Sequence, residues 1–184
     1  MGINLLDMQV TEQEWKTKMQ NLMERRELGT IGHSAAADLV RDYKTHLSKV
    51  FIGKTVLDIG AGDCVVKQYL PEGTTYHPMD AFPVADDILQ MEVESPLFQL
   101  VGLHDTLIAF VVMDGVRDFD QAIENMKQVA WRNIVFLTGV NIPPDKYHTI
   151  ELKLSDFDYR FSDWKKTYSE EIVKNVWLLE YTRP

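Results

Sequence analysis

The sequence predicts an α/β fold in which a doubly wound, mostly parallel sheet follows an N-terminal helical extension and ends in an antiparallel hairpin. Three observations support this fold class. A strand at 56–59 runs into a turn with glycines at alternate positions, two apolar runs cover 105–112 and 133–140, and 171–181 has the pattern of two strands around a tight turn. Continuous apolar runs of this length are typical of parallel strands that are buried on both faces.

Composition is compatible with one globular domain. The chain has 184 residues, of which 45% are hydrophobic and 26% charged, so it can bury a sizeable core. Its single cysteine, Cys64, excludes an internal disulfide and fits a reducing compartment. The sequence lacks an apolar run of about 20 residues that could span a bilayer. It also lacks the basic-then-apolar order of a signal peptide at its N-terminus. We therefore expect a cytoplasmic protein without a membrane partner.

Charge narrows the class of partner. The formal net charge is −9, from 19 basic and 28 acidic residues, whereas an extended nucleic-acid surface would cluster lysines and arginines. A small molecule or a protein is therefore the expected partner. No metal site is predicted, because the five histidines are not at ligand spacing; they are His33, His46, His77, His104 and His148.

The first 50 residues are predicted to form a helical cap on an α/β domain that covers 51–184. Thr11 and Glu14 have the spacing of a capping box, and Gly29 can end the helix that this box begins. Ser34 can cap a second helix. The apolar residues expected on the inner faces are Trp15, Met19, Leu22 and Met23 in the first helix, and Leu39, Val40, Tyr43 and Leu47 in the second.

The turn after the first strand, at 58–64, is the most informative stretch. Gly60 and Gly62 stand at alternate positions, and glycine lets the backbone approach a ligand closely because it has no Cβ and tolerates a positive φ. A helix that begins just beyond the turn would offer free N–H groups to a polar or anionic group. We therefore predict the phosphate- or nucleoside-binding corner of a doubly wound fold here.

Two kinds of cofactor turn compete for this stretch. The dinucleotide fingerprint requires glycine at the first, third and sixth positions, which are Gly60, Gly62 and Val65 here, so its third glycine is missing. The stretch resembles motif I of class I S-adenosylmethionine-dependent methyltransferases instead. That motif is an acidic residue (Asp58), any residue, and alternate glycines, although the family usually has a further glycine where Cys64 stands. The methyltransferase resemblance is the favoured interpretation.

Asp80 supports a ribose-bearing ligand. It ends a short second strand at 74–80, about 20 residues past the glycine turn, where a carboxylate can accept hydrogen bonds from both ribose hydroxyls. NAD sites also use such a residue, so Asp80 does not by itself separate the two interpretations. A solvated aspartate at a strand end remains the alternative.

The elements around Asp80 are short in the prediction. A short helix at 65–70 is closed by Pro71, and the segment 81–87 is too short and too broken by proline to form a full second helix. A third strand is expected at 88–93.

Longer elements follow. Asp118 and Gln121 have capping-box spacing at the start of a helix that runs to Ala130, and a short helix can begin at 153–157. The order of elements over about 53–140 matches the methyltransferase family, and the terminal hairpin is a second agreement. The resemblance implies a seven-stranded sheet, mostly parallel, with N-terminal helices that form part of a lid or cover one sheet face.

The resemblance also implies a cofactor, S-adenosylmethionine, and the residues that would bind it. The adenine contact falls on Met91 or Glu92, with Asp86 and Asp87 as the alternatives. The cofactor residues expected in this sequence are Asp58, Gly60, Ala61, Gly62, Asp80, Ala81, Met91, Glu92 and Val112.

The family mechanism is an in-line attack of a substrate nucleophile on the methyl group of a sulfonium centre. The protein then supplies orientation and, where needed, a base. The candidate bases are His33, Asp114 and His148. We expect methyl transfer to a small-molecule acceptor, with two alternatives: a catalytically silent domain that binds a partner protein, and a nucleotide-dependent oxidoreductase. Cys64 is expected to be a packing substitute for glycine rather than a nucleophile.

Overall fold

The computed structural model of the chain describes residues 11–27 and 35–184, and this part contains a seven-stranded sheet. The strands are β1 (Thr55–Ile59), β2 (Thr75–Asp80), β3 (Leu89–Gln90), β4 (His104–Phe110), β5 (Ala130–Gly139), β6 (Lys165–Val173) and β7 (Val176–Thr182). The helices are α1 (Glu12–Glu27), α2 (Ala35–Arg41), α3 (Tyr43–Ser48), α4 (Phe119–Val129) and α5 (Leu154–Arg160). None of the helices in these residues is long and apolar enough to cross a membrane.

The strand order is β3-β2-β1-β4-β5-β7-β6, and every pairing up to β5 is parallel. The strand β7 is antiparallel to both β5 and β6, so the predicted C-terminal hairpin is confirmed. After β1 the chain continues to β2 at one side of the sheet, and after β4 it continues to β5 at the opposite side. The carboxyl ends of β1 and β4 therefore flank a switch point in strand order, where open α/β sheets bind their ligands.

Helices cover both faces of the sheet, as a doubly wound fold requires. On one face α4 and α5 pack against the strands, and Phe136 lies edge-on to Phe157 with ring centroids 5.1 Å apart. On the other face Val56, Ile108 and Val135 meet Leu47 of α3. Each strand contributes residues to the core on both faces of the sheet, because successive side chains of a strand point to opposite faces.

The second face has a thinner cover than the first. The segment between β1 and β2 contains a 3₁₀ helix of five residues, Val65–Tyr69, where the sequence predicted a short helix at 65–70. Its first residue follows Cys64, and Pro71 comes two residues after its end, so the chain has little room for further turns.

The predicted third strand at 88–93 is reduced to two residues, because only Leu89 and Gln90 pair with β2.

The N-terminal helices agree with the prediction in part. The capping box at Thr11 is present, since the Thr11 amide donates to Glu14 Oε2 at 3.0 Å and the Glu14 amide donates to Thr11 Oγ1 at 3.3 Å. The predicted second helix is split at Asp42, whose side chain accepts from the Thr45 amide and caps α3. Leu39, expected on the inner face, is 51% exposed.

Four other predictions at the N-terminus are not tested. Gly29 and Ser34 lie outside the described residues, and the structure does not describe the side chains of Leu22 and Met23.

The predictions for the later elements agree closely. Asp118 caps α4 by accepting from the Gln121 amide, and α5 begins at Leu154. The strand β5 starts at Ala130, directly after α4, three residues before the predicted start.

Candidate active site

The turn after β1 is in the left-handed conformation that its glycines permit. The φ angles of Gly60, Gly62 and Cys64 are +69°, +53° and +54°. Gly60 also allows a close approach, because a Cβ there would lie 2.3 Å from a Cγ of Val112 in the loop after β4. The turn and that loop are therefore in van der Waals contact across the switch point.

The backbone amides of this turn are used within the protein. Gly60 and Ala61 both donate to the Met79 carbonyl, at 2.8 and 3.0 Å, and Cys64 donates to the Ala61 carbonyl at 2.8 Å. The Gly62 amide donates to Asp80 Oδ2 at 3.0 Å. These four turn amides therefore have partners inside the protein. The free N–H groups were expected from a helix beyond the turn, and the helix that follows is the short 3₁₀ helix Val65–Tyr69.

Asp80 is fixed at the tip of β2 as the sequence predicts. One carboxylate oxygen accepts from Gly62 and the other accepts from the Phe82 amide at 2.8 Å. Its own carbonyl accepts from the Met91 amide at 3.0 Å, which brings the end of β3 alongside. Each carboxylate oxygen keeps a further lone pair, so a partly exposed Asp80 can still accept from a ligand hydroxyl.

Asp58 has a different environment. Its side chain is 2% exposed, and one carboxylate oxygen accepts from the Tyr76 hydroxyl at 2.6 Å. Burial raises the pKa of Asp58 to about 7, against the effect of the Tyr76 hydrogen bond, and the charge of Asp80 adds to the rise. The Asp58 carboxyl group is therefore bonded inside the protein to Tyr76 of β2.

The residues predicted to contact adenine differ in availability. Met91 is partly buried against the main core. Glu92 forms an ion pair with Arg117, with 2.5 Å between its Oε2 and the Arg117 Nη2, so its carboxylate already has a partner. Asp86 and Asp87 are exposed, whereas Ala81 is partly buried beside Asp80.

Asp114 and His148, two of the three candidate bases, come together. Asp114 follows β4, His148 follows β5, and the distance from Asp114 Oδ2 to His148 Nε2 is 3.6 Å. Burial raises the pKa of Asp114, while His148 opposes the rise. The two loops are joined because the Thr149 amide donates to the Asp114 carbonyl at 2.7 Å. His33, the third candidate, lies outside the described residues.

Asp145 belongs to the same group, and sequence reasoning missed it. Its Oδ1 accepts from the amides of Tyr147 and His148, at 2.7 and 2.8 Å, and lies 2.9 Å from His148 Nδ1. The available signal was an aspartate after two prolines and three residues before a histidine, a spacing that allows an aspartate to bond its own turn.

The helix α1 lies across the carboxyl edge of the sheet. Trp15 is 4% exposed, its Nε1 donates to the Gly115 carbonyl at 2.8 Å, and its ring centroid lies 5.5 Å from that of Phe82. Lys18 Nζ donates to the carbonyls of Asp145 and His148, at 2.7 Å each. One helix thus contacts the loops that follow β2, β4 and β5.

A second non-glycine residue at this edge has a left-handed backbone. Val111 directly follows β4 and has a φ of +59°, which is a genuine outlier for a β-branched residue. Its amide donates to the Leu137 carbonyl at 2.6 Å, which extends the ladder with β5. Strained residues thus follow both strands that flank the switch point.

Within residues 11–27 and 35–184, no group of three or more histidine, cysteine, aspartate or glutamate side chains is arranged to hold a metal ion.

No protein-family model matches this sequence, and no curated protein matches it significantly. Similar solved structures include a 1,6-didemethyltoxoflavin-N1-methyltransferase of Burkholderia thailandensis, solved with 1,6-didemethyltoxoflavin and S-adenosylhomocysteine. It has 11% identity and a TM-score of 0.68, and the match covers 95% of this chain and 91% of that chain.

Two further structures have similar statistics. The N-methyltransferase NodS of Bradyrhizobium japonicum WM9, in complex with S-adenosylhomocysteine, has 13% identity and a TM-score of 0.60 over 81% of this chain and 85% of that chain. Magnesium protoporphyrin IX methyltransferase of Synechocystis PCC 6803, with bound S-adenosylmethionine, has 13% identity and a TM-score of 0.58 over 81% and 79%. At these identities the likeness shows a shared fold.

Proposed function

Given that this chain has the fold of class I S-adenosylmethionine-dependent methyltransferases, we propose that it binds S-adenosylmethionine and transfers the methyl group to a small-molecule acceptor. The observation that carries the proposal is Asp80, whose carboxylate is oriented by the Gly62 amide of the glycine turn beside the switch point. The neighbours named for toxoflavin and protoporphyrin substrates support a small acceptor.

In this proposal Asp80 accepts hydrogen bonds from the ribose hydroxyls, and Gly60, Ala61 and Gly62 let the turn approach the cofactor. Val112 and Ala81 line two opposite sides of the cofactor pocket. Met91 packs on the adenine, since it is apolar, partly buried and adjacent to Asp80 through its amide.

The acidic residues predicted at the cofactor take indirect roles here. Asp58 supports the turn indirectly, because it bonds the Tyr76 hydroxyl, which also interacts with Cys64 of the turn. Glu92 acts through Arg117, with which its Oε2 forms an ion pair, and Met91 is the adenine contact.

The reaction itself needs little from the protein beyond geometry, because the sulfonium cofactor is already activated. The residues of 1–50 act as a cap on the domain at 51–184, with α1 closing over the acceptor. In this proposal the pair of Asp114 and His148, with 3.6 Å between Oδ2 and Nε2, takes a proton from the acceptor. The cytoplasmic location stays a prediction from composition.

A catalytically silent domain that binds a partner protein is the second candidate. The specific observation in its favour is Cys64, which has a left-handed backbone where the family has glycine, together with turn amides that already have partners. Such a domain would keep the fold and the glycine turn and lose the cofactor.

Calorimetry with S-adenosylmethionine, S-adenosylhomocysteine and NAD separates the candidates. Micromolar binding of the two adenosyl compounds is expected, with no heat from NAD. If none of the three binds, the silent domain is the better description, whereas NAD binding alone would restore the oxidoreductase interpretation.

Asp80→Ala tests whether Asp80 belongs to the cofactor-binding site. We expect affinity for S-adenosylhomocysteine to fall by about tenfold or more, because two ribose hydroxyls lose a charged acceptor. Glu72→Ala is the matched control, since Glu72 is an exposed carboxylate that precedes β2 and lies outside the candidate site. Equal affinity of both variants and the wild type would show that the cofactor is not bound at Asp80.

A further inference from the structure

The loop that carries His148 is bonded at three points by one carboxylate oxygen. Asp145 Oδ1 accepts from the Tyr147 amide, the His148 amide and the His148 ring. Burial opposes ionisation of Asp145, but the hydrogen bonds from the two amides and the adjacent His148 outweigh it and lower the pKa of this carboxyl. Asp145 is therefore an acceptor without a proton of its own.

This acceptor decides which ring nitrogen of His148 carries the proton. A carboxylate 2.9 Å from Nδ1 requires an N–H at that position, so the neutral ring keeps its lone pair on Nε2. Nε2 in turn faces Asp114 Oδ2 at 3.6 Å, a separation too long for a hydrogen bond. The basic nitrogen thus has no hydrogen bond to Asp114 and remains able to accept a proton.

A second element holds the same loop from outside. Lys18 of α1 donates to the carbonyls of Asp145 and His148, which are the first and last residues of the turn. Among the residues that the structure describes, the charged groups beside His148 are Asp145 from its own loop, Asp114 from the loop after β4 and Lys18 from α1, which bonds the His148 carbonyl. With Trp15 bonded to the Gly115 carbonyl, α1 contacts both loops that bring the pair together.

We propose that Asp145 and Lys18 are positioning residues that hold His148 with an unprotonated Nε2, so that His148 acts as the general base toward an oxygen or nitrogen nucleophile. The inference rests on the proposed methyl transfer. The acceptor O–H or N–H bond breaks, its proton moves to Nε2, and the nucleophile forms a bond to the methyl carbon. The bond from that carbon to sulfur breaks, and its electron pair remains on the neutral sulfide product.

The two carboxylates then have a role in the proton transfer. Asp145 stabilises the imidazolium that forms, because it already accepts from Nδ1. The arrangement suits a neutral or cationic acceptor, since an anionic one would face both Asp145 and Asp114. An acceptor that must lose a proton also explains why a histidine is held so firmly in a reaction whose cofactor needs no activation.

The tautomer of His148 is the direct test, and it requires no cofactor or acceptor. Proton–nitrogen NMR of the histidine rings identifies which nitrogen carries the proton, and the His148→Asn spectrum assigns the signal. We expect the Nδ1–H tautomer in the wild type. Asp145→Ala should convert His148 to the Nε2–H tautomer, whereas Asp145→Asn, which keeps an acceptor oxygen, should retain Nδ1–H. A wild-type ring that is mainly Nε2–H would overturn the proposal.

Lys18→Met tests the contribution of α1, with Lys16→Met as its matched control. Lys16 lies on the same helix and pairs only with Glu12 among the residues described, so its loss should leave the loop unchanged. Lys18→Met should accelerate amide exchange at Tyr147 and His148 about tenfold, because two charge-assisted bonds are lost, and Lys18→Arg should restore the protection. Equal exchange in the two methionine variants would remove Lys18 from the proposal.

Acylation by diethyl pyrocarbonate tests whether Nε2 is available. The reagent attacks an unprotonated ring nitrogen, so His148 should be modified, whereas His46, which is 3% exposed, should not. An unreactive His148 in the folded protein would exclude it as a base. These results are independent of calorimetry: if the ring is held as proposed and S-adenosylmethionine does not bind, the placement stands and the methyl transfer fails.

Discussion

At the scale of single residues, Cys64 is where this chain departs most clearly from the methyltransferase motif that it resembles. Its φ of +54° lies in the left-handed region, so the family preference for glycine has a steric origin that this chain does not satisfy. The cost is about 1–2 kcal/mol for an ordinary side chain. The thiol also interacts with the Tyr76 hydroxyl, whose pKa is raised chiefly by burial and further by Asp58 and Cys64. Cys64 thus packs beside the Asp58–Tyr76 pair.

Cys64→Gly should leave the free energy of unfolding unchanged or raise it by up to about 1 kcal/mol, because relief of strain exceeds the entropy that glycine adds to the unfolded chain. Urea denaturation measures the change. Asp63→Gly is the matched control: Asp63 is exposed and outside the left-handed region, so glycine there should destabilise by about 0.5–1 kcal/mol. Equal losses in both variants would mean that the contacts of the thiol outweigh its strain.

Asp58 makes a separate prediction, about pH. Its folded pKa of about 7 lies above the ordinary value of 3.8, so between about pH 4 and pH 7 the unfolded state loses a proton that the folded state keeps. Stability contributed by this group is present below that window and is lost as the pH rises through it, by at most about 4 kcal/mol. Asp58→Asn keeps an acceptor for Tyr76 and should be more stable than the wild type at pH 8.

Urea denaturation at pH 5 and pH 8 checks this, because Asp58→Asn should reduce the loss of stability between the two values. Asp86→Asn, at an exposed carboxylate, should preserve the wild-type loss. Parallel curves for the wild type and Asp58→Asn would show that Asp58 is ionised in the folded protein throughout.

At the scale of elements, sequence periodicity predicted the strands better than it predicted the connections between them. The apolar runs at 105–112 and 133–140 correspond to β4 and β5, because these strands are buried on both faces and their burial does not depend on the conformation of the loops. The short helix predicted at 65–70 is present as a 3₁₀ helix over Val65–Tyr69. The strand at 88–93 was overestimated, since its length depends on how many residues find partners in β2. The prediction that Leu39 lies on an inner face is wrong, because periodicity does not reveal the break between α2 and α3 at Asp42.

The candidate site follows the same rule. Gly60, Gly62 and Asp80 are predictable because they lie at or just beyond the ends of β1 and β2, and the sheet fixes the positions of those ends. The grouping of Asp145 with His148 depends on the conformation of a loop after β5, and that of Lys18 depends on where α1 docks. Neither the loop conformation nor the docking has a periodic signal in the sequence.

The docking of α1 makes a prediction at this scale. Trp15→Ala removes a buried ring and the bond to the Gly115 carbonyl, so α1 should separate from the sheet edge while the core stays folded. Hydrogen exchange should become faster in 12–27 and remain unchanged in β4 and β5. Trp131→Ala is the matched control, since that ring is 60% exposed. A cooperative loss of the whole fold in Trp15→Ala would make α1 part of the core rather than a cover.

At the scale of the whole molecule, the formal charge of −9 bears on how a cofactor would enter and leave. The sulfonium of S-adenosylmethionine carries a positive charge that S-adenosylhomocysteine lacks. A negatively charged protein therefore attracts the cofactor more than its product through long-range electrostatics, which dissolved salt screens. The buried Asp58 and Asp114 contribute to this field in proportion to their ionisation, so it strengthens as the pH rises.

The expected result is a difference in salt dependence between two ligands at one site. Between about 0.05 and 0.5 M salt, the screening length shortens from above 10 Å to about 4 Å, so the affinity for S-adenosylmethionine should fall while that for S-adenosylhomocysteine stays nearly constant. Calorimetric titrations of both ligands measure the two slopes, and each ligand serves as the control for the other. Identical slopes would mean that the affinities of both ligands depend only on short-range contacts, chiefly those of Asp80 and the glycine turn. The overall charge of the protein would then have no part in cofactor exchange.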